Sequence, residues 1–170
     1  FHALESGLAD HPDVRMYALL EGAKDGADPR RVFAIEEFVE GEEFSCDFLL
    51  DGERVEIIRF ARKVPAPAET FGTTLAYVVP GELPAGLDPH VFQQQVLAAA
   101  RALGLERALC MLDFIVRDDR AYLIELAPRP GGDCLPFLIR QSSGFDILGA
   151  ALDFAEGRHT SIPDAAQWRR

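Results

Sequence analysis

The chain has 170 residues, of which 48% are hydrophobic, and this fits a single domain with one sizeable core. Its formal net charge of −11 argues against nucleic acid and against an anionic membrane surface as partners, because both attract cations. The three cysteines are odd in number and widely spaced, and no apolar run is long enough for a membrane span, so we expect reduced thiols in a cytoplasmic protein.

Apolar spacing and turn residues predict the elements of the first half of the chain. A strand that enters a loop is expected over residues 32–39, and alternating polar and apolar side chains predict a half-buried strand over 43–50. Asp51 and Gly52 are a signal for a two-residue hairpin turn, and residues 54–64 form the returning strand. The elements expected before these are a helix over 1–10, a strand over 13–22 and a loop over 22–31.

Three cations end the returning strand, namely Arg59, Arg62 and Lys63. Alternation along a strand places Arg59 and Lys63 on one face and Arg62 on the other. Lys63 could thus face a phosphate or a carboxylate, and an ordinary solvated strand end is the alternative. A loop over 65–72 and a strand over 73–79 follow.

Asp88 and Pro89 begin a helix, since they supply a capping side chain and a proline at the first helical position. Gly104 ends it. The apolar positions that recur at helical spacing are predicted to be core, and they are Phe92, Val96, Ala99, Ala100 and Leu103.

Residues 110–133 read as a β-hairpin followed by a proline- and glycine-rich loop. A three-residue turn at 118–120 places Asp113 directly across from Glu125, and facing carboxylates of this kind suit a magnesium ion. The alternative is a shifted register with both carboxylates on a solvated face. One face is predicted to enter the core and carries Leu112, Phe114, Val116, Tyr122, Ile124 and Leu126. The other carries Asp113, Ile115, Arg117, Ala121, Leu123, Glu125 and Arg129.

The last part of the chain predicts a short helix over 134–141 and a second one over 146–156, followed by a polar tail over 158–170 in which Trp168 docks on the domain. The second helix is expected to bury Ile147, Leu148, Ala151, Leu152 and Phe154. Cys134 is interpreted as a packing residue rather than as part of a pocket, and Asp133 as a helix cap rather than as a contact to an amine. The sum is an α+β fold, an antiparallel sheet backed by helices.

Two motifs resemble the ATP-grasp ligases. Residues 125–132, Glu-Leu-Ala-Pro-Arg-Pro-Gly-Gly, are similar to the C-terminal signature of that family, and residues 34–45 are similar to its hinge. The resemblance implies that Asp113 and Glu125 bind Mg²⁺ and that Arg129 is the catalytic arginine, which steadies a phosphoryl group or acyl intermediate.

The hinge resemblance implies a binding segment for ATP. Glu36 would accept from the adenine amino group, the Val39 backbone would meet the ring edge, and Glu37 and Phe38 lie between them in the same segment. Glu43 would bond the ribose hydroxyls. Lys63, interpreted above as a cation for phosphate, completes the predicted nucleotide site.

The family implies an ATP-dependent ligase that activates a small-molecule carboxylate as an acyl phosphate for attack by an amine. Alternatives are a carboxylating enzyme of the biotin-carboxylase or purine-pathway type, a non-catalytic nucleotide- and Mg²⁺-binding module, and a cation-binding domain without nucleotide. The oligomeric state stays open, with a homodimer as one alternative.

The resemblance predicts a partial ATP-grasp domain over 1–157, with a hinge over 32–45 and a metal hairpin over 110–129. No glycine-rich loop precedes Glu36 and the chain starts at Phe1, so we expect that the lid and an N-terminal domain are missing and that these residues alone are a poor catalyst. Ala127 replaces an asparagine that many members use as a further metal ligand.

Overall fold

The computed structural model describes residues 35–66 and 73–169. The chain divides into two compact units, Phe1–Phe38 and Val39–Arg170. The elements predicted before residue 32, and most of the loop over 65–72, lie outside the described residues. In its described part, 35–39, the predicted strand over 32–39 is wrong: these residues have no regular secondary structure, and all but Val39 are exposed. A strand needs a neighbouring strand for its backbone groups, and residues 35–39 are not part of the sheet that the described residues form.

The second unit is built on a five-stranded antiparallel sheet in the order β3-β2-β1-β4-β5. The strands are β1 (Glu42–Asp51), β2 (Arg54–Pro65), β3 (Thr74–Gly81), β4 (Arg107–Arg117) and β5 (Arg120–Ala127). The helices are α1 (Pro89–Ala102), α2 (Leu135–Ser143) and α3 (Ile147–Ala155). This arrangement confirms the predicted α+β fold with an antiparallel sheet. None of the helices in the described part of the chain is long and apolar enough to cross a membrane.

Helix α1 covers one face of the sheet. The Asp88 side chain caps it, because the carboxylate accepts from the backbone N–H groups of His90 and Val91. Even-numbered residues of β1 face this helix, since side chains alternate along a strand. The buried core between them contains Phe44, Cys46, Phe48, Leu50, Phe92, Val96, Ala100, Cys110, Leu112 and Phe114. Leu103 is 60% exposed, so its predicted core position is wrong: it lies past the last helical residue, as the C-cap.

A second core lies on the opposite face, where α2 and α3 pack. It contains Leu49, Ile58, Leu109, Ile139, Ile147 and Phe154, and Trp168 of the C-terminal tail packs against it as predicted. Leu148 and Leu152 were expected to be buried but are 54% and 68% exposed. Helix α3 has apolar residues on nearly all sides, and only the side that carries Ile147 and Phe154 meets the sheet.

The two predicted hairpin turns differ from the structure in detail. The β1–β2 turn consists of Gly52 and Glu53, one residue later than predicted, because Asp51 pairs with Arg54. The β4–β5 turn is a two-residue turn at Asp118 and Asp119 rather than a three-residue one, and both residues have positive φ. Positive φ at both positions is typical of the type I′ turn, whose twist matches that of the strands.

A β-bulge at Ile124 compensates for the shorter turn. Phe114 pairs with Leu123, whereas Asp113 pairs with Glu125, so Ile124 is the extra residue. Between turn and bulge the predicted faces of β5 are therefore exchanged: Ala121 and Leu123 pack against the first core, and Ile124 is 58% exposed. Beyond the bulge the predicted pairing of the two carboxylate residues is confirmed.

Candidate active site

A cleft of about 630 Å³ opens on the sheet face that carries the odd-numbered residues of β1. Side chains from four strands and from the loop before α2 surround it. The lining residues are Lys63, Thr74, Leu75, Ala76, Tyr77, Met111, Asp113, Glu125, Arg129, Gly132, Asp133, Cys134 and Leu135. Four of the residues singled out in the sequence, Lys63, Asp113, Glu125 and Arg129, thus meet in one cleft.

The two carboxylates occupy different environments. Asp113 lies on β4, next to the central strand, and its side chain is 19% exposed, whereas the Glu125 side chain on edge strand β5 is 55% exposed. Oδ1 of Asp113 is buried, and none of the described residues donates a hydrogen bond to it. A buried carboxylate oxygen without a donor is costly unless a cation or water satisfies it.

Lys63 reaches Asp113 across an intervening strand. Its Nζ atom lies 2.5 Å from Asp113 Oδ2, although Lys63 is on β2 and β1 separates it from β4. Ser45 of β1 lies directly opposite Asp113 and is small and fully buried, so the lysine stem can pass over it. The alternative interpretation of Lys63 as a solvated strand end is therefore wrong, since its side chain is only 15% exposed.

Arg129 lies on the proline-rich loop after β5. Its Nη1 atom donates to the carbonyl oxygen of Pro130 at 3.0 Å, and Nη2 lies 4.0 Å from Oε1 of Glu125. The side chain is 55% exposed, so the contact to Glu125 is weak. Most of the guanidinium donors remain available to an anion that enters the cleft.

A buried ion pair that sequence reasoning missed lies beneath this loop. Arg59 Nη2 lies 2.5 Å from Asp47 Oδ2, and both side chains are fully buried. Asp47 Oδ1 accepts from the backbone N–H of Gly131 at 2.7 Å, and Arg59 Nη1 donates to Ser45 Oγ at 2.8 Å. Burial raises the pKa of Asp47, and the adjacent Arg59 guanidinium opposes that rise.

Gly131 must be glycine for this arrangement. A Cβ atom at this position would lie 2.9 Å from Arg59 Nη2 and 3.0 Å from Leu135 Cδ1. The Gly131 backbone can therefore lie close to the ion pair, and its N–H bond to Asp47 holds the loop that carries Arg129. The signal in the sequence was the prediction that Arg59 shares a face with Lys63, whereas Asp47 fits the polar positions of a half-buried alternating strand and gave no sign of its burial.

Tyr77 of β3 binds the same loop from the other side of the cleft. Its hydroxyl donates to Asp133 Oδ2 at 2.7 Å, and burial together with this bond raises the pKa of Tyr77 to about 12. The interpretation of Asp133 as a helix cap is wrong, because Cys134 is the N-cap of α2 and has no capping side-chain bond. Cys134 is exposed and lines the cleft, so its interpretation as a packing residue is also wrong.

Only some of the residues predicted to bind the nucleotide belong to the second unit. Glu43 is half-buried on β1 and shares a face with Ser45, two residues further along, which pairs with Asp113. Val39 is half-buried in the segment before β1. Glu36, Glu37 and Phe38 belong to the first unit and are exposed. Their assignment to adenine stays a prediction.

The carboxylate pair fits a magnesium ion that is shared with a ligand. Within the described ranges no group of three or more His, Cys, Asp or Glu side chains could enclose a metal. Mg²⁺ is commonly held by one or two carboxylates together with substrate phosphates and waters, so two facing carboxylates suffice. The unpartnered Oδ1 atom of Asp113 is a free acceptor of the required kind.

Known proteins resemble this chain over much of its length. A family model for the ATP-grasp domain matches residues 17–136. The chain is 32% identical over 136 residues to a D-alanine–D-alanine ligase of Methylibium petroleiphilum, a match that covers 69% of the chain and 42% of that protein. It is 30% identical over 160 residues to human carnosine synthase 1, covering 92% of the chain and 17% of that protein. The chain therefore spans less than half the length of these relatives.

Solved structures show the same fold. Phosphoribosylglycinamide synthetase from Anaerococcus prevotii superposes with a TM-score of 0.60 at 24% identity, covering 72% of this chain and 31% of that one. An L-amino acid ligase from Bacillus licheniformis gives a TM-score of 0.60 at 22% identity, covering 78% of this chain and 34% of that one.

Proposed function

Because this chain belongs to the ATP-grasp family, we propose that it forms part of an ATP-dependent ligase that joins a carboxylic acid to an amine. The observation that carries the proposal is the meeting of Asp113, Glu125, Lys63 and Arg129 around one cleft. Two carboxylates for a metal and two cations for anionic groups are what transfer of a phosphoryl group to a carboxylate requires.

Asp113 and Glu125 would hold magnesium from adjacent strands. When bound, the ion neutralises phosphate charge and aligns the phosphoryl group with its acceptor. Their unequal exposure suits this role, because Asp113 is held in place at the sheet, whereas Glu125 at the edge is free to adjust as the ligand enters.

Lys63 and Arg129 would each bind a different anionic group of the substrates. Lys63 extends a point charge over the sheet and suits a phosphate, whereas Arg129 presents a planar fork that suits a carboxylate or an acyl phosphate. In this scheme ATP first phosphorylates the acid, and the amine then displaces phosphate from the acyl phosphate and releases it. Arg129 is the proposed catalytic residue, because it would contact the reacting group.

The ATP-binding roles of the hinge are part of the proposal. Glu43 would bond the ribose and the Val39 backbone the adenine edge, and both lie in the same unit as the carboxylate pair. The roles of Glu36, Glu37 and Phe38 at adenine rest on the sequence motif alone.

An amino acid is the proposed acid. Two of the matched relatives are named for ligation of D-alanine and for synthesis of carnosine, and a structural neighbour is named for L-amino acids. The cleft is also lined by charges of both signs, Arg129 together with Asp133 and Glu125, which suits a zwitterion better than bicarbonate.

Calorimetry of ADP binding, with and without Mg²⁺, tests the proposal. We expect binding that depends on Mg²⁺ and weakens at least about tenfold in Glu125→Gln, since one of two metal carboxylates is lost. Glu53→Gln is the matched control, because it removes an exposed carboxylate in the turn at the far end of β1. Equal binding in both variants, or none in the unaltered protein, would contradict the proposal.

A further inference from the structure

The contact between Lys63 and Asp113 is short and largely buried, unlike an incidental ion pair at the surface. The lysine spans β1 from β2 to β4, and both partners are more than four-fifths buried. Holding a flexible four-carbon stem in one conformation costs entropy, and a surface lysine ordinarily leaves its ammonium in water. Ser45 of β1 is small, fully buried and directly opposite Asp113, so it leaves room for this path.

This ammonium satisfies only half of the carboxylate. Lys63 occupies Oδ2 of Asp113, whereas Oδ1 is buried and receives no hydrogen bond from the described residues. Glu125 lies directly across from Asp113 and adds a second negative charge. The Arg129 guanidinium is 4.0 Å from the Glu125 carboxylate, so it compensates that charge only weakly. Asp113 thus contacts one cation through Oδ2 and can accept a second one at Oδ1.

We infer that Lys63 acts as a stand-in cation, which occupies Asp113 until a nucleotide phosphate draws it away and the metal takes its place. The inference rests on the proposed function, in which Asp113 and Glu125 hold the metal. A divalent ion on Asp113 and an ammonium on the same carboxylate repel each other at short range. A phosphate relieves this repulsion, because it offers Lys63 a new anion.

The exchange couples metal entry to nucleotide entry. Without nucleotide, Lys63 keeps metal affinity low and prevents two facing carboxylates from standing unneutralised. With nucleotide, the metal and its phosphates enter together. Removing the lysine should therefore have opposite effects on the two ligands: the free metal binds more tightly, and the metal-bound nucleotide binds less tightly.

Mn²⁺ is a suitable probe, because it prefers carboxylate oxygen like Mg²⁺ and its free concentration can be read by electron paramagnetic resonance. Without nucleotide, we expect Lys63→Met to bind Mn²⁺ about tenfold or more tightly than the unaltered protein, since a nearby positive charge is removed. Lys63→Gln, which keeps a neutral donor for Asp113 and protects folding, should change affinity in the same direction. Arg62→Met is the matched control, because this exposed neighbour faces a groove on the other side of the sheet.

Two further measurements separate this inference from the proposed function. Adding Asp113→Asn to Lys63→Met should abolish Mn²⁺ binding, and Lys63→Met should weaken Mg²⁺-dependent ADP binding. Mn²⁺ binding that survives Asp113→Asn would place the metal elsewhere and overturn the proposed site. Mn²⁺ binding that needs Asp113 but is equal in Lys63→Met, Lys63→Gln and the unaltered protein would keep the site and overturn the stand-in role.

Discussion

Replacing Arg59 by methionine should destabilise the domain severely, because the substitution leaves the buried Asp47 carboxyl group without its main partner. Both side chains are fully buried, and among the described residues the Asp47 carboxylate otherwise accepts only from the backbone N–H of Gly131. Breaking a buried ion pair by removing one member costs about 3–5 kcal/mol. For a domain of this size that corresponds to a fall in Tm of roughly 6–20 °C.

A double-mutant cycle separates the pair from its surroundings. Asp47→Leu and Arg59→Met should each cost about 3–5 kcal/mol, but together they remove both charges and should cost only about 1–3 kcal/mol, chiefly for the Gly131 N–H left without an acceptor. The expected coupling is therefore at least about 3 kcal/mol. Urea unfolding followed by circular dichroism measures all four proteins.

Arg54→Met is the matched control on the same strand. Arg54 pairs with Glu56, but its side chain is 70% exposed, so we expect a loss of about 1 kcal/mol or less. A loss below about 1 kcal/mol for Arg59→Met, or additive effects in the cycle, would refute the interpretation of Asp47 and Arg59 as a buried, mutually dependent pair.

Two further predictions concern thiols and close packing. In the native protein at pH 8 a thiol reagent should modify Cys134 alone, because Cys46 and Cys110 are buried and burial raises the pKa of both thiols. The variant Cys134→Ser should abolish this reaction. Two fast-reacting thiols in the unaltered protein would contradict the prediction. Gly41→Ala should lower unfolding free energy by about 1–3 kcal/mol, because its methyl would lie 2.6 Å from a side-chain carbon of β4. Gly132→Ala, where the nearest atom is 3.6 Å away, is the control; equal losses would contradict the packing argument.

The hairpin of β4 and β5 shows how much of a sheet strand patterns can predict. Alternation and the turn residues predicted that Asp113 faces Glu125, and the structure confirms the pairing. The reason differs from the prediction, since a shorter turn and a bulge at Ile124 offset one another. A bulge adds one residue to a strand without changing its composition, so period-two patterns do not reveal it. The faces of Ala121 and Leu123 were therefore wrong, although the pairing was right.

The helices show the limit of apolar spacing. Phe92 and Val96 of α1 are core as predicted, because a helix beside a sheet buries one regular stripe. In α3 the apolar residues surround the helix, so spacing alone cannot select the buried side. Leu148 and Leu152 are consequently exposed, contrary to prediction.

The sequence by itself determined the fold class, the family and the residues of the carboxylate hairpin, because these depend on local periodicity and on short motifs. Only the tertiary structure decided which distant side chains meet: Lys63 with Asp113 across an intervening strand, and Asp47 with Arg59 beneath the loop of Arg129. Such contacts depend on strand order, register and the size of intervening residues such as Ser45. The residue spacing within a single segment does not determine strand order or register, because both arise only when separate strands pack into one sheet.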